Sequence, residues 1–242
     1  MSDAGGSIDE IGSKDALATA LHVIRTERDA LTQLESLYES DVIAQEGFAN
    51  SVDAISTSIK SGGKLVVVGV GKSGKIGQKV VATMNSFGIR SAFLHPTEAL
   101  HGDLGMIGEN DTILIITFSG RTPELLNLLP YLPPEMALIA VTSHMGPSRC
   151  PLFESRSPHL SILLPAPIPI SEVESFGVAA PTTSTTVSLA LTDALAMAVA
   201  RRLHLDPSAV FQGYHPGGAI GFSHRASGSS STNSGKPSSV NI

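Results

Sequence analysis

Between Lys14 and about Lys60, the apolar residues Leu17, Leu21, Ile24, Leu31, Leu34, Val42, Ile43 and Ile55 recur at helical spacing, with a break near Gly47. Residues three, four and seven apart share one face of an α-helix, so this segment predicts two helices ahead of any sheet. From Lys64 the pattern changes. Five short runs read as strands: Lys64 to Val70, Ser91 to Leu94, Thr112 to Phe118, Ala137 to Thr142, and Leu160 to Leu164. The stretches VVVGV and ILIITF are apolar without alternation, which suits strands buried on both faces. The segments between the first four strands have the length of helices or compact loops, as in βαβ units, so the expected fold class is α/β with a parallel, doubly wound sheet. After Pro181, the stretch Ser184 to Leu203 carries Val187, Leu191, Leu195 and Val199 on one stripe and predicts a long, largely buried helix. From about Ser223 the chain is Ser, Gly and Asn with almost nothing apolar. Residues 1–13 are therefore expected to be flexible, 14–222 to form a single domain, and 223–242 to be disordered.

Composition narrows the function classes. A chain of 242 residues, 42% hydrophobic, can build one sizeable α/β core, and two full domains would be crowded. A net charge of -6 argues against a nucleic-acid partner, which needs clustered Lys and Arg to displace counterions. The single cysteine, Cys150, excludes an intramolecular disulfide and a cysteine-built zinc site, and fits a reducing, cytoplasmic location. The opening MSDAGGSIDE is polar and acidic, unlike a signal peptide, and no apolar run is expected to reach the length of a membrane span.

Within Lys64 to Gly77, KLVVVGVGKSGKIG, the first strand runs into a glycine-rich turn carrying Lys72 and Ser73. Glycines permit left-handed backbone and close approach, and the following helix start offers N–H groups and a positive dipole end to an anion. A Walker A loop is excluded, because Val66 stands where its first glycine belongs. Gly69, Gly71 and Gly74 do match a dinucleotide fingerprint, but the acid wanted at the end of the second strand is His95. A tight turn without a ligand is the remaining alternative. In an open parallel sheet, ligands sit beyond the carboxyl ends of the strands, and the polar loops fall there. Ser119, Gly120, Arg121 and Thr122, ahead of Pro123, make a second candidate anion cradle or a plain helix cap. Several histidines are present without a close His/Cys/Asp/Glu set, so no metal is expected.

The motifs GKSG, HPTEALHGDLG, SGRTPE, APTTSTT and HPGGAIG occur in the order and approximate spacing of the sugar isomerase (SIS) domain. From about Ile43 to Gly221 the chain resembles D-arabinose 5-phosphate isomerases. The resemblance implies a five-stranded parallel sheet sandwiched by helices and a sugar-phosphate site at a subunit interface. It further implies a homodimer or homotetramer, and aldose–ketose isomerisation with no cofactor. In similar proteins function is attributed to a lysine, two glutamates and a histidine. Lys72 matches the lysine of GKSG, Glu124 the acid closing the SGxxxE loop, and His215 the histidine of HPGG. Counting back from Gly177 selects Glu172 as the second acid, with Glu174 as the alternative. Candidate substrate and phosphate contacts are Gly71, Ser73, Gly74, His101, Ser119, Gly120, Arg121, Thr122, Thr183, Ser184 and Thr185. The chain departs from the pattern twice. Arg121 stands where typical bacterial relatives have Glu, and a Ser-rich tail stands where many carry a pair of CBS modules.

Moving a proton between C1 and C2 through an enediolate requires a carboxylate base, a donor for the developing oxyanion and a phosphate anchor. Glu172 or Glu124, His215 and Lys72 are the residue types that supply these. Each also has a bland alternative: a solvated loop lysine, an acid favouring a helix N-terminus, a turn histidine. His101 and Asp103 can equally orient their own loop. A phosphosugar-binding regulatory protein without turnover, and a nucleotide-dependent dehydrogenase, are the rival function classes.

Overall fold

The computed structural model describes residues 8–154 and 156–217. The expected tail from Ser223, and the first seven residues of the expected flexible N-terminus, lie outside the described residues. Two helices come first, α1 (Ile8–Ser40) and α2 (Val42–Lys60). They part at Asp41, not near Gly47. The Asp41 carboxylate accepts from the Ala44 N–H at 2.9 Å and so caps α2. Gly47 lies inside α2, where a Cβ would collide with the Leu163 carbonyl, so its role is close approach of helix to sheet.

Five parallel strands follow: β1 (Leu65–Gly69), β2 (Ser91–Leu94), β3 (Thr112–Ile116), β4 (Leu138–Thr142) and β5 (Ser161–Pro165). They lie in the order β2-β1-β3-β4-β5. The sequence places each strand within two residues of its observed bounds. Helices cover both faces, and alternate residues of each strand feed two cores. Leu65, Val67, Leu114, Ile116, Ile139 and Val141 pack against α1, α2, α3 (Gly71–Ser86) and α7 (Thr183–Leu203). Val66, Val68, Ile113, Ile115, Leu138 and Ala140 face α4 (Pro96–Ala99) and α5 (Pro123–Leu128). A short α6 (Glu172–Phe176) follows β5, and α8 (Pro207–Gly213) follows α7.

By length and composition α7 could cross a membrane, with mean hydropathy 1.3 over its most apolar window, which corrects the expectation that no apolar run reaches that length. Its physical setting is a core helix: Val187, Leu191, Leu195 and Val199 are buried against the sheet and its neighbours. Tyr38 ties α1 to β5 by donating to the Pro165 carbonyl at 3.1 Å, and burial, with Asp41 adding to it, pushes its hydroxyl pKa up.

Candidate functional site

The strand order reverses between β1 and β3, so the loops leaving their carboxyl ends diverge to opposite faces and open a crevice. The β1–α3 loop is built by its glycines. Gly71 has φ +59, and Gly69 and Gly74 approach so closely that a Cβ on Gly74 would lie 2.9 Å from the Gly69 carbonyl oxygen. Only glycine permits that backbone without strain. The first hydrogen bond entering α3 runs from the Gly74 N–H to the Val70 carbonyl at 3.2 Å. The N–H groups ahead of it are those a helix leaves unspent. No side chain caps this end and no acid stands in its first turn, while Lys72 does.

Beside this helix start is a cavity of about 220 Å³, lined by Val70, Lys72, Ser73, Ile76, Phe118, Glu172, Pro181, Ser184, Thr185 and Ser188. Glu172 comes from α6, and one of its oxygens is heavily used. Oε1 accepts from the Thr182 N–H at 2.7 Å, the Ser184 N–H at 3.0 Å and the Ser184 hydroxyl at 2.8 Å. The N-cap of α7, Thr182, provides no side-chain cap of its own, so Glu172 caps that helix from ten residues upstream. Oε2 has no hydrogen bond among the described residues. Glu174, the alternative acid, is exposed and does not line the cavity.

Within the hydroxyl run at the head of α7, Ser184 and Thr185 donate to the protein itself. Thr185 donates to the Thr182 carbonyl at 2.6 Å, and Thr183 Oγ1 is buried with no hydrogen-bond partner among the described residues. Thr183 does not line the cavity.

The β3–α5 loop rises beside the cavity through Phe118. Ser119 Oγ accepts from the Arg121 N–H at 3.2 Å, Gly120 sits at φ +64, and Thr117 and Thr122 hydroxyls are 3.1 Å apart. Arg121 is exposed, and its guanidinium has no partner among the described residues. Glu124 is the second residue of α5 and exposed, outside the cavity lining. His101 and Asp103 are also exposed, and His95 caps α4 by accepting from the Thr97 N–H at 3.3 Å.

His215 is elsewhere. Its Nδ1–H donates to the Phe211 carbonyl at 2.6 Å, its ring stacks on Phe211 at 4.0 Å, and Nε2 lies 3.5 Å from the Ser86 hydroxyl. Ser86 is the last residue of α3, and at about 1.5 Å per residue a helix of 16 residues separates it from the cavity end by about 24 Å. One chain therefore assembles Lys72, Ser73, Glu172, Ser184 and Thr185, and leaves Glu124 and His215 outside. Two further supports lie outside the candidates drawn from the sequence. His144, just past β4, donates to the Ser119 carbonyl at 3.0 Å, and its position at a strand's carboxyl end was an available signal. Phe118, which lines the cavity, read only as the end of a strand. Among the described residues no group of three or more His, Cys, Asp or Glu could hold a metal.

Residues 58–198 match the SIS domain family. An uncharacterised protein of Helicobacter pylori J99 is 43% identical over 86% of this chain and 59% of its own length. The arabinose 5-phosphate isomerase KdsD of Yersinia pestis is 39% identical over 82% of this chain and 55% of its own. The chain thus spans little more than half the length of these relatives. A structure of an E. coli CFT073 protein in complex with arabinose 5-phosphate superposes with TM-score 0.67 and 34% identity, covering 84% of this chain and 98% of that one.

Proposed function

Because the chain belongs to the SIS domain family, we propose that it is an aldose–ketose isomerase of a sugar phosphate, interconverting D-arabinose 5-phosphate and D-ribulose 5-phosphate. The observation that carries this is Glu172. Its carboxylate is held at Oε1 by three donors and lines the same small cavity as Lys72 and Ser73. The open N-terminus of α3, with Ser73, takes the phosphate, and the exposed guanidinium of Arg121 on the β3–α5 loop offers it a fork-shaped donor. With Oε1 fixed, Oε2 is the oxygen that removes the proton from C2. As it leaves, the C1 carbonyl oxygen gains negative charge, which the Lys72 ammonium stabilises before that oxygen is protonated. Return of the proton to C1, with loss of the O2 proton, gives the 2-ketose. No electrons leave the sugar, so no redox cofactor is needed.

His215 and Glu124 fit this scheme only if the site is completed by assembly. The exposed Leu17, Ile24, Val42 and Ile43 of the N-terminal helices supply apolar surface for a second copy. We place the chain in a homodimer or homotetramer in which His215 serves a neighbour's cavity. Sedimentation of a fully active monomer would contradict this. A second reading, a phosphosugar-binding regulator without turnover, is favoured by two observations: the carboxylate of Glu172 already serves as the cap of α7, and neither Glu124 nor His215 lines the cavity. Incubation with D-arabinose 5-phosphate in deuterium oxide decides between them. Isomerisation through an enediolate labels product or recovered substrate at carbon, whereas a protein that binds the sugar phosphate without label or turnover is the regulator.

A further inference from the structure

The helix that presents Glu172 is only five residues long, and a helix of that length has no stability of its own in water. Something else must hold it. One end is fixed by Glu172 itself, through Thr182 and Ser184 of the α7 start. The other end is held from α1, which lies 153 residues away in sequence. The His22 Nε2–H donates to the Ser175 carbonyl at 2.8 Å, and its ring meets Phe176 edge-on at 5.5 Å between centroids. Because a carbonyl can only accept, the ring must carry its proton on Nε2. Immediately beyond, Gly177 turns into the left-handed region at φ 73 and its N–H closes α6 onto the Val173 carbonyl at 2.8 Å. The left-handed turn sets where the chain leaves α6, and the His22 contact ties α6 to the exposed N-terminal half of α1.

We infer that His22 is a positioning residue for Glu172, acting through Ser175 and Phe176 to hold α6 so that the carboxylate meets both the α7 start and the cavity. Its kinetic consequence rests on the isomerase proposal, but its structural consequence does not. Three variants separate the contributions. H22Q keeps a donor at nearly the Nε2 position, H22F keeps a ring without a donor, and H22A removes both. Hydrogen exchange is followed at the amides of Thr182, Ser184 and Gly177, alongside the melting temperature, kcat and KM. Loss of one hydrogen bond of ordinary strength corresponds to roughly a three- to tenfold effect. For H22A we expect exchange at these three amides to accelerate by about that factor, with the central strands unchanged. We expect kcat to fall by about tenfold with KM within about twofold, because the base and not the phosphate cradle is displaced. H22Q should restore most of both, and H22F should not. Unchanged exchange and kcat in H22A and H22F would overturn the assignment. So would acceleration spread over the whole domain, or an H22Q as impaired as H22A. If the wild-type protein turns over no sugar phosphate, the isomerase proposal fails while the exchange comparison still decides the role of His22.

Discussion

Two helix N-termini face the same cavity, and they are in opposite states. That of α3 has no side-chain cap, no acid in its first turn and a lysine at its second position. That of α7 is occupied, because Glu172 takes two of its N–H groups and the Ser184 hydroxyl. Both ends carry the same partial positive charge, so the difference lies in what the sequence brings to them. A glycine turn at φ +59 leaves α3 open to an external anion. A carboxylate ten residues upstream supplies α7 with an internal one. A helix start rich in Ser and Thr is therefore not by itself a phosphate site, and here the hydroxyl-rich end is the one whose Thr182 and Ser184 N–H groups are already taken.

The largest expected effect comes from Glu172→Gln. The amide keeps an oxygen to cap α7 but is no base, so turnover should fall by about 10² to 10⁴ while substrate affinity changes much less. A melting temperature near that of the wild type, read beside steady-state rates, separates lost chemistry from lost capping. Full activity in Glu172→Gln would reduce that residue to a helix cap.

His215→Ala addresses the group that neither helix end recruits. If His215 acts in a neighbour's cavity, His215→Ala and Lys72→Ala should each lose activity by a factor on the order of 10². Mixing the two under conditions of subunit exchange should restore part of it, since some cavities then receive an intact lysine and an intact histidine. Mixtures no more active than their components would place His215 outside the site.

Ser73→Ala and Thr183→Val set the two helix ends against each other directly. Loss of a neutral hydrogen bond at α3 should weaken phosphosugar binding several-fold by calorimetry. Thr183 Oγ1 is buried without a partner among the described residues, so a valine of the same shape should leave binding unchanged and be neutral to about 1 kcal/mol stabilising in denaturant titration. A binding loss from Thr183→Val equal to that from Ser73→Ala would erase the distinction.

Much of this was legible in the sequence. All five strands fall within two residues of their sequence-read bounds, and β1 and β3 stand out as unbroken apolar runs because strands buried on both faces do not alternate. The glycines at 69, 71 and 74 identify the turn that opens α3. What the sequence did not show depends on contacts between distant segments. Gly47 looks like a helix break until β5 is packed against it, whereas the true boundary is the capping carboxylate of Asp41. The choice between Glu172 and Glu174 rests on motif counting alone in the sequence, and in space only Glu172 reaches the head of α7. Nothing near His22 marks it, since its partners lie at Ser175 and Phe176. The motif order that matches Lys72, Glu124 and His215 to one site does not show that Glu124 and His215 stand outside the cavity of their own chain.

The contrast between the two helix starts is tested most directly by titrating inorganic phosphate into the isotopically labelled protein and following its amide resonances. Saturable shifts are expected at Gly71, Lys72 and Ser73, with Thr182 and Ser184 nearly still because Glu172 holds them. Phosphate shifts concentrated at Thr182 and Ser184, with the α3 amides unmoved, would contradict that contrast.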